Sequence, residues 1–185
     1  ARRWVRTWVI DADRRSVQPR LLWDRSTEDA YADPGSPEMR TTESGERVLL
    51  MHDGALFLAG DGASPQGDRP FLDRLDLATL ETERLWQAEA EFYEEVVSVL
   101  DPAEGTFLTR RESKTEPPNY YVREVGTDRL VAVTDFEDPA PQLAGITKQL
   151  VVYEREDGVP LSGTLYLPPG YREGQRLPVV MWAYP

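Results

Sequence analysis

Short apolar runs rich in Val, Leu, Trp, Tyr and Thr recur along this chain, and clusters of Gly, Pro and Asp separate them. Helical periodicity is almost absent, and the pattern is typical of a many-stranded antiparallel protein. It predicts a series of strands before a Pro-rich segment at residues 135–145. These strands cover residues 4–10, 20–23, 47–51, 55–58, 71–77, 82–86, 94–100, 106–110, 120–125 and 130–135. Residues 80–95 also have a composition that suits a helix, but we interpret residues 81–87 as an outer strand because their neighbours form a repeat.

The repeat consists of an aromatic-apolar strand, an acidic turn and a second strand. It occurs as TWVIDADRRSVQPRLLWDRS, FLDRLDLATLETERLWQA and YYVREVGTDRLVAVTDF, in which Trp23, Trp86 and Thr134 hold equivalent places. Once the loops at residues 27–38 and 60–69 are discounted, the spacing fits the roughly 40–50 residues of a propeller blade. One four-stranded blade cannot bury both of its faces alone, so blades stack. The pattern favours consecutive four-stranded antiparallel β-propeller blades over a β-sandwich, which the strands alone also permit.

Turn signals mark the hairpins. Asp53-Gly54 predicts a type I′ turn, which needs positive φ at both central positions, and a second hairpin turn is expected at residues 101–105. Residues 135–145 are expected to form a linker, because they combine acids and prolines without any period.

The pattern changes after the linker. Strands are predicted at residues 148–154 and 159–167 around Asp157-Gly158, and Pro168-Pro169-Gly170 ends the second of them. Residues 177–182 form a continuous apolar run, which predicts a strand buried on both faces, as in the sheet of an α/β domain. We therefore predict a mainly β chain. Residues 1–145 form a partial β-propeller of about three blades, and residues 146–185 form the first strands of an α/β-hydrolase domain.

Charge and composition exclude several classes of function. The net charge of −12 argues against binding to nucleic acid or to an anionic membrane surface. No apolar run approaches the roughly 20 residues of a membrane helix, and no signal peptide is visible. The chain contains no cysteine, which excludes disulfides and cysteine-based metal sites. The compartment stays undecided, with a soluble cytoplasmic or periplasmic location as the expectation.

The C-terminal stretch is similar to a known family. The motif combines Tyr153, Arg155, Asp157-Gly158, the run LYLPPGY at residues 165–171 and the run LPVVMWAYP at residues 177–185. It resembles the prolyl oligopeptidase family of serine peptidases and, in its particular form, the glutamyl endopeptidase branch. The run LWDRSTEDAYADPGSPEMR at residues 22–40 also resembles the propeller of that branch.

The resemblance implies a β-propeller that caps an α/β-hydrolase domain and limits access to it. It also implies peptide-bond hydrolysis, with cleavage after Glu as the preference of this branch, through an acyl-enzyme and a Ser-His-Asp triad. No Gly-x-Ser-x-Gly elbow occurs here, so we expect the triad to lie outside this chain. In this family a Tyr six residues after the Pro that opens the first buried strand helps to form the oxyanion hole. Here Pro178 places that role on Tyr184.

Other candidate residues have structural interpretations. His52, the single histidine, is interpreted as a turn residue beside Asp53 rather than as a general base. The acidic clusters at residues 43–46, 89–95 and 135–138 are interpreted as solvated surface rather than as Ca²⁺ sites. The pairs Arg2-Arg3 and Arg110-Arg111 are weak candidates for binding an acidic substrate side chain. Packing between blades is favoured over sugar stacking for three tryptophans, Trp8, Trp23 and Trp86.

These inferences predict part of a longer serine peptidase, inactive by itself and without a metal or cofactor. Its expected partners are a peptide substrate and either the remainder of the enzyme or a second copy of the chain. Two alternatives stay open. One is a non-catalytic propeller that binds a protein. The other is a related aminopeptidase or acyl-peptide hydrolase.

Overall fold

The computed structural model describes residues 3–14 and 16–183, and the chain is mainly β over these ranges. Two short 3-10 turns, Ala30–Ala32 and Pro141–Leu143, are the only helical segments in the described ranges. The strands are β1 (Trp4–Val9), β2 (Arg20–Ser26), β3 (Ser36–Pro37), β4 (Met39–Thr41), β5 (Arg47–Leu49), β6 (Met51–His52), β7 (Ala55–Gly60), β8 (Phe71–Asp76), β9 (Thr82–Gln87), β10 (Tyr93–Asp101), β11 (Thr106–Glu112), β12 (Asn119–Glu124), β13 (Leu130–Ala132), β14 (Thr147–Glu154) and β15 (Pro160–Leu167).

The chain divides into two compact units, Ala1–Glu137 and Asp138–Pro185. The division falls inside the segment at residues 135–145 that the sequence marks as a linker. The first unit contains β1 to β13 and the second contains the hairpin of β14 and β15. All strand pairs are antiparallel, and the described sheets do not close into a propeller.

The middle sheet of the first unit has an interrupted edge. Both β3 and β6 pair with the same side of β7, and β8 and β9 follow in order. Between them, the N–H of Glu38 donates to the carbonyl of Phe57 at 2.8 Å, and the N–H of Leu50 donates to the carbonyl of Glu38 at 2.8 Å. The intervening residues leave the sheet as the β4–β5 hairpin. The edge strand is thus one strand with a hairpin inserted after Glu38.

The next sheet is a regular meander of β10, β11, β12 and β13. Each strand pairs with its neighbour along the chain, and β10 has register shifts between Val96 and Ser98 and between Val99 and Asp101. The N-terminal strands β1 and β2 form a two-stranded sheet. The first unit therefore contains two consecutive four-strand-wide antiparallel sheets, preceded by a hairpin.

Each of the three repeats identified in the sequence forms a hairpin. In the first two, Thr7 faces Trp23 in the β1–β2 register, and Leu72 faces Trp86 in the β8–β9 register. In the third, the N–H of Tyr120 donates to the hydroxyl of Thr134 at 2.9 Å. The segment at residues 81–87, which also suited a helix, is the terminal strand β9.

The middle sheet is covered on both faces. On one face, Leu50, Phe57 and Leu72 pack with Phe107 of the meander, and the rings of Trp86 and Phe107 meet edge-on at 5.4 Å. The residues on the other face pack against β2 and form a second cluster of Leu56, Leu58 and Leu75 with Leu22, Trp23 and Leu77. Successive side chains of a strand point to opposite faces, which is why the run from Ala55 to Leu58 is buried at every position.

The turn at Asp53-Gly54 has the predicted geometry. Asp53 has φ of 47° and Gly54 has φ of 70°, as a type I′ turn requires. His52 faces Ala55 across this two-residue loop. The turn thus fixes the register of β6 on β7, and with it the face to which Leu56 and Phe57 point.

Two strand predictions need correction. No strand forms at residues 177–182, where Val179 and Val180 are 80% and 95% exposed. A strand is stabilised by its neighbours, and residues 177–181 make no ladder with another strand among the described residues. The strand expected at residues 130–135 ends at Ala132, because the chain then turns so that Asn119 binds Phe136.

Candidate functional site

The residue with a predicted catalytic role, Tyr184, lies outside the described residues. Its role therefore stays a prediction. The preceding residues, including Pro178, are exposed and lie after the β14–β15 hairpin. That hairpin contains the Asp157-Gly158 turn, where Arg155 and Asp157 form a bidentate pair at 2.7 and 2.6 Å. The pKa of Asp157 is lowered, chiefly because its carboxylate accepts the side-chain hydrogen bond of Arg155.

His52 is a turn residue, as predicted. It ends β6, and its Nε2 lies 3.3 Å from the carboxylate of the neighbouring Asp53. A cleft of about 260 Å³ opens beside it, between the turn of the middle sheet and the β10–β11 turn. The described residues that line this cleft include Arg74, Glu104 and Thr106, and among them there is no serine or second histidine. The described surroundings therefore do not pair His52 with a serine nucleophile.

A buried ion pair lies inside the meander, where the sequence suggested solvated surface. Glu94 belongs to the acidic cluster at residues 89–95, yet it is only 1% exposed. Its carboxylate accepts from Arg123 Nε and Nη2 at 2.6 and 2.8 Å, and from the Thr109 hydroxyl at 2.7 Å. The interpretation as surface is wrong for this residue because Glu94 lies in phase with core positions such as Val96. Three donors, Arg123 Nε and Nη2 and the Thr109 hydroxyl, thus converge on one buried carboxylate, which makes this a structural network.

The arginine pair at residues 110 and 111 separates into two roles, since adjacent strand residues point to opposite faces. Arg110 is paired, with Nη1 at 3.2 Å from Glu95 and Nη2 at 3.1 Å from Glu112. Arg111 is stacked, with its guanidinium carbon 3.4 Å from the centre of the Phe92 ring and 5.7 Å from that of Tyr121. Its Nε is buried and has no hydrogen-bond partner among the described residues.

The carboxylate of Glu38 links the middle sheet to the meander. It is half-buried and accepts from the N–H of Val99 on β10 at 3.3 Å. Burial raises the pKa of Glu38, and the hydrogen bond from Val99 opposes this shift. Glu38 thus satisfies a backbone donor at the irregular part of β10.

An apolar cleft of about 860 Å³ lies between the N-terminal hairpin and the middle sheet. Trp8, Ile10 and Met51 line it, and Trp8 is 48% exposed. Trp23 and Trp86 pack against the two hydrophobic clusters, so packing is confirmed for them. Trp8, in contrast, leaves about half of its side chain exposed. Arg20 crosses this region and donates from Nη1 to the carbonyl of Ala78 at 2.9 Å.

Metal ligation finds no support in the acidic clusters. Over residues 3–14 and 16–183, no group of three or more His, Cys, Asp or Glu side chains has a geometry that holds a metal ion. No helix in the same ranges is long and apolar enough to cross a membrane.

The N-terminal arginine pair gives no site that can be described. Arg3 is exposed, and Arg2 lies outside the described residues.

Sequence reasoning missed the network of Glu94, Thr109 and Arg123. A usable signal was present, because the period of two in β10 places Glu94 on the same face as Val96. Buried charges are almost always paired, so a charge in a core phase predicts an opposite charge on a neighbouring strand. The partner Arg123 on β12 fills that position.

Comparisons with known proteins find two curated relatives. The chain is 44% identical over 199 aligned residues to a protein named probable glutamyl endopeptidase, chloroplastic, from Oryza sativa subsp. japonica. It is 42% identical over 201 aligned residues to the protein of that name from Arabidopsis thaliana. Each match covers 99% of this chain and 21% of the relative. The chain thus spans about a fifth of the length of the curated relatives it matches.

No family model matches the chain. Among solved structures, the AtxE2 isopeptidase is similar in an astexin3-dC4-bound variant and in an apo form, each with 16% sequence identity and a TM-score of 0.40. The match to the bound variant covers 80% of this chain and 25% of that one, and the match to the apo form covers 82% and 24%.

Proposed function

We propose that this chain is part of a serine peptidase of the prolyl oligopeptidase type, similar to the glutamyl endopeptidases. The observation that carries the proposal is the similarity to two proteins of that name, which extends over 99% of this chain. Because the chain spans 21% of those relatives, we propose that the peptidase activity belongs to a longer protein. This chain alone is expected to be inactive.

We further propose that β1 to β13 are consecutive blades of a β-propeller. The two four-strand-wide antiparallel sheets and the middle sheet buried on both faces support this assignment. The unit that contains β14 and β15 would supply the first strands of an α/β-hydrolase domain. The role of the propeller would be to limit access to peptides and loosened chains.

In the proposed mechanism a serine elsewhere in the protein attacks the peptide carbonyl. A histidine accepts the serine proton and later donates a proton to the leaving amine, while an aspartate orients the histidine. Water then hydrolyses the acyl-enzyme, which restores the serine. The contribution of this chain is Tyr184, whose hydroxyl would donate to the oxyanion of the tetrahedral intermediate together with a backbone N–H.

Peptide cleavage by the complete protein tests this function. We expect cleavage of a peptide library by the complete protein, with a preference for Glu before the scissile bond, and no cleavage by the 185-residue chain. Tyr184→Phe in the complete protein is expected to lower kcat by about 10²–10³, the usual effect of removing one oxyanion donor, with little change in KM. Tyr171→Phe, at the other tyrosine after β15, is the matched control.

The site of cleavage also separates the related activities. Trimming of single residues from the N-terminus would identify an aminopeptidase, and release of acylated residues would identify an acyl-peptide hydrolase. A complete protein that binds peptides and cleaves none would contradict the proposal.

A further inference from the structure

Arg111 makes different contacts from Arg110 and Arg123, the two other arginines of β11 and β12. Arg110 and Arg123 use their guanidinium groups on the carboxylates of Glu95, Glu112 and Glu94. Arg111 makes no ion pair with any described residue, and its Nε is the sole buried side-chain nitrogen or oxygen without a hydrogen-bond partner in the described ranges. Its guanidinium is therefore held without an ion pair to a described residue.

Two aromatic rings hold the guanidinium. Phe92 lies 3.4 Å from its central carbon and Tyr121 lies 5.7 Å from it, within the distance at which a cation is attracted to a ring face. Stacking restrains the plane of the group but uses none of its N–H donors. The donors at the edge of the group thus stay available for an acceptor, and the group is already ordered before a ligand arrives.

Two neighbouring acids bind other groups. Glu94 is the register partner of Arg111, yet its carboxylate binds Arg123 and Thr109 instead. Glu112, the next residue along β11, pairs with Arg110 on the opposite face. The protein thus places an arginine beside two carboxylates and satisfies it with neither.

An unpaired, buried donor is costly, because it gives up its hydrogen bonds to water and gains none in the protein. Such a group in a native structure needs an explanation, for example a missing ligand. A carboxylate suits this position, because the planar fork of arginine donates two parallel hydrogen bonds to its two oxygens. Arg111 as a whole is half-buried, and its Nη groups are neither fully buried nor hydrogen-bonded among the described residues, so a ligand would approach from their side.

We propose that Arg111 binds the side-chain carboxylate of an acidic peptide and so selects Glu or Asp over their amides. This inference deepens the proposed function and rests on it for the identity of the ligand. A site that offers only charged donors favours a carboxylate over an amide, whose NH₂ group would face the guanidinium. The net charge of −12 repels acidic peptides at long range, but screening limits that repulsion to about 8–10 Å at physiological salt.

Titration of the chain itself tests the proposal without any need for catalysis. The probes are acetyl-Ala-Glu-Ala-amide and acetyl-Ala-Gln-Ala-amide, which differ only in carboxylate against amide. Isothermal titration calorimetry measures the affinity of the wild type and of every variant. The ¹H–¹⁵N NMR signal of the Arg111 Nε–H group, assigned in the wild-type chain through its couplings to the rest of the side chain, locates the bound peptide. We expect a saturable shift with the Glu peptide, at an affinity at least about tenfold higher than that for the Gln peptide.

Variants separate binding from folding. Arg111→Gln is expected to reduce the affinity for the Glu peptide to that for the Gln peptide. Arg111→Lys keeps the charge and loses the fork, and an intermediate loss is expected. The matched control is Arg110→Gln, whose wild-type guanidinium is already occupied by Glu95 and Glu112, and it should bind the Glu peptide as the wild type does. Circular dichroism establishes that each variant is folded.

Three results would overturn the proposal: no saturable shift with the Glu peptide, equal affinities of the wild-type chain for the two peptides, or unchanged affinity in folded Arg111→Gln. The comparison of the two peptides on the wild-type chain decides the matter even if both Arg111 variants fail to fold.

The complete protein distinguishes this inference from the proposed function. If it cleaves peptides, Arg111→Gln should lower kcat/KM for the Glu substrate about tenfold, chiefly through KM, and leave the Gln substrate unchanged. An active enzyme with an unchanged ratio contradicts the role of Arg111 and leaves the proposed function standing. A complete protein without peptidase activity contradicts the proposed function, while the titration still decides whether Arg111 binds carboxylates.

Discussion

At the scale of single residues, the carboxylates of Glu94 and Glu38 differ in how fully their surroundings compensate them. Glu94 is buried and fully bonded by Arg123 and Thr109, so its charge is compensated. Glu38 is half-buried and has one backbone donor, so desolvation dominates and the pKa of Glu38 is raised. The two carboxylates should therefore respond differently to neutralisation.

Glu94→Gln should destabilise the chain strongly. Removal of one partner leaves Arg123 buried without a counter-charge, which typically costs about 3–5 kcal/mol. The free energy of unfolding in urea measures the effect. Glu95→Gln is the matched control, because the pair of Glu95 with Arg110 is partly exposed and such pairs contribute about 0–1 kcal/mol. Equal effects of the two substitutions would contradict the assigned role of the Glu94 network.

Glu38→Gln should change the pH dependence of stability. Because the pKa of Glu38 is raised above its ordinary value of 4.5, the folded chain binds this proton more tightly than the unfolded chain. The resulting stabilisation is complete below pH 4.5 and is lost as pH rises through the raised pKa.

Glu38→Gln removes the titrating carboxylate, so this variant does not lose the stabilisation as pH rises. The urea midpoint of the variant minus that of the wild type should therefore increase between about pH 4 and about pH 7. Glu83→Gln, at an exposed position of β9, supplies the control. A difference between Glu38→Gln and wild type that stays constant with pH would exclude the titration of Glu38 as the cause.

At the scale of elements, the middle sheet depends on close approach of its loops to β7. Gly35 precedes β3 with φ of 81°, and a Cβ there would lie 2.6 Å from the carbonyl oxygen of Ala59. Gly45, in the β4–β5 hairpin, has a similar φ of 86°, but a Cβ there would have no neighbouring atom within 4 Å. The two glycines thus share a backbone conformation and differ in the space around them.

Gly35→Ala should therefore destabilise the chain more than Gly45→Ala. Both substitutions add the strain of a positive φ, about 1 kcal/mol, but only the first also forces β7 or its own loop to move. Thermal unfolding of the two variants measures the difference. Equal losses would show that the approach of Gly35 to Ala59 does not restrain the fold.

Many of the strands and turns could be predicted from the local sequence. The three repeats form hairpins because each carries two β-prone runs and an acidic turn, and Asp53-Gly54 specifies its own turn type. The run at residues 177–182 shows the limit of such reasoning. Its apolar side chains indicate what environment it suits, but a ladder needs a neighbouring strand, which local composition does not supply.

The candidate site was predictable only in part. The sequence marks Arg110 and Arg111 as a pair, and the period of two places them on opposite faces. Which of them stays unpaired depends on the register of β10 against β11 and on the partner that Glu94 takes. Those contacts link residues far apart in sequence, so no local pattern distinguishes the two arginines.

At the scale of the whole first unit, burial is unequal among the sheets. The middle sheet has covered faces, whereas the flanking sheets keep large apolar side chains in solvent. In the meander, Val131 and Val133 are 44% and 57% exposed, and in the N-terminal hairpin Trp4 and Trp8 are 55% and 48% exposed. Exposed apolar side chains of this size favour association.

The isolated chain should therefore self-associate as its concentration is raised. Sedimentation equilibrium over a wide concentration range is expected to show a mass that rises above 21.0 kDa. Val131→Thr with Val133→Thr should weaken the association, because the pair lies on the exposed end of the meander. A chain that stays monomeric over the whole concentration range would count against the assignment of stacked propeller blades.

Covalent labelling of the complete protein with a fluorophosphonate, located by peptide mass spectrometry, tests the central claim most directly. One labelled serine is expected, within a Gly-x-Ser-x-Gly segment outside this chain, and no label is expected on the serines of this chain. A complete protein that cleaves peptides without taking up the label, or that takes it up on a serine of this chain, would contradict the account.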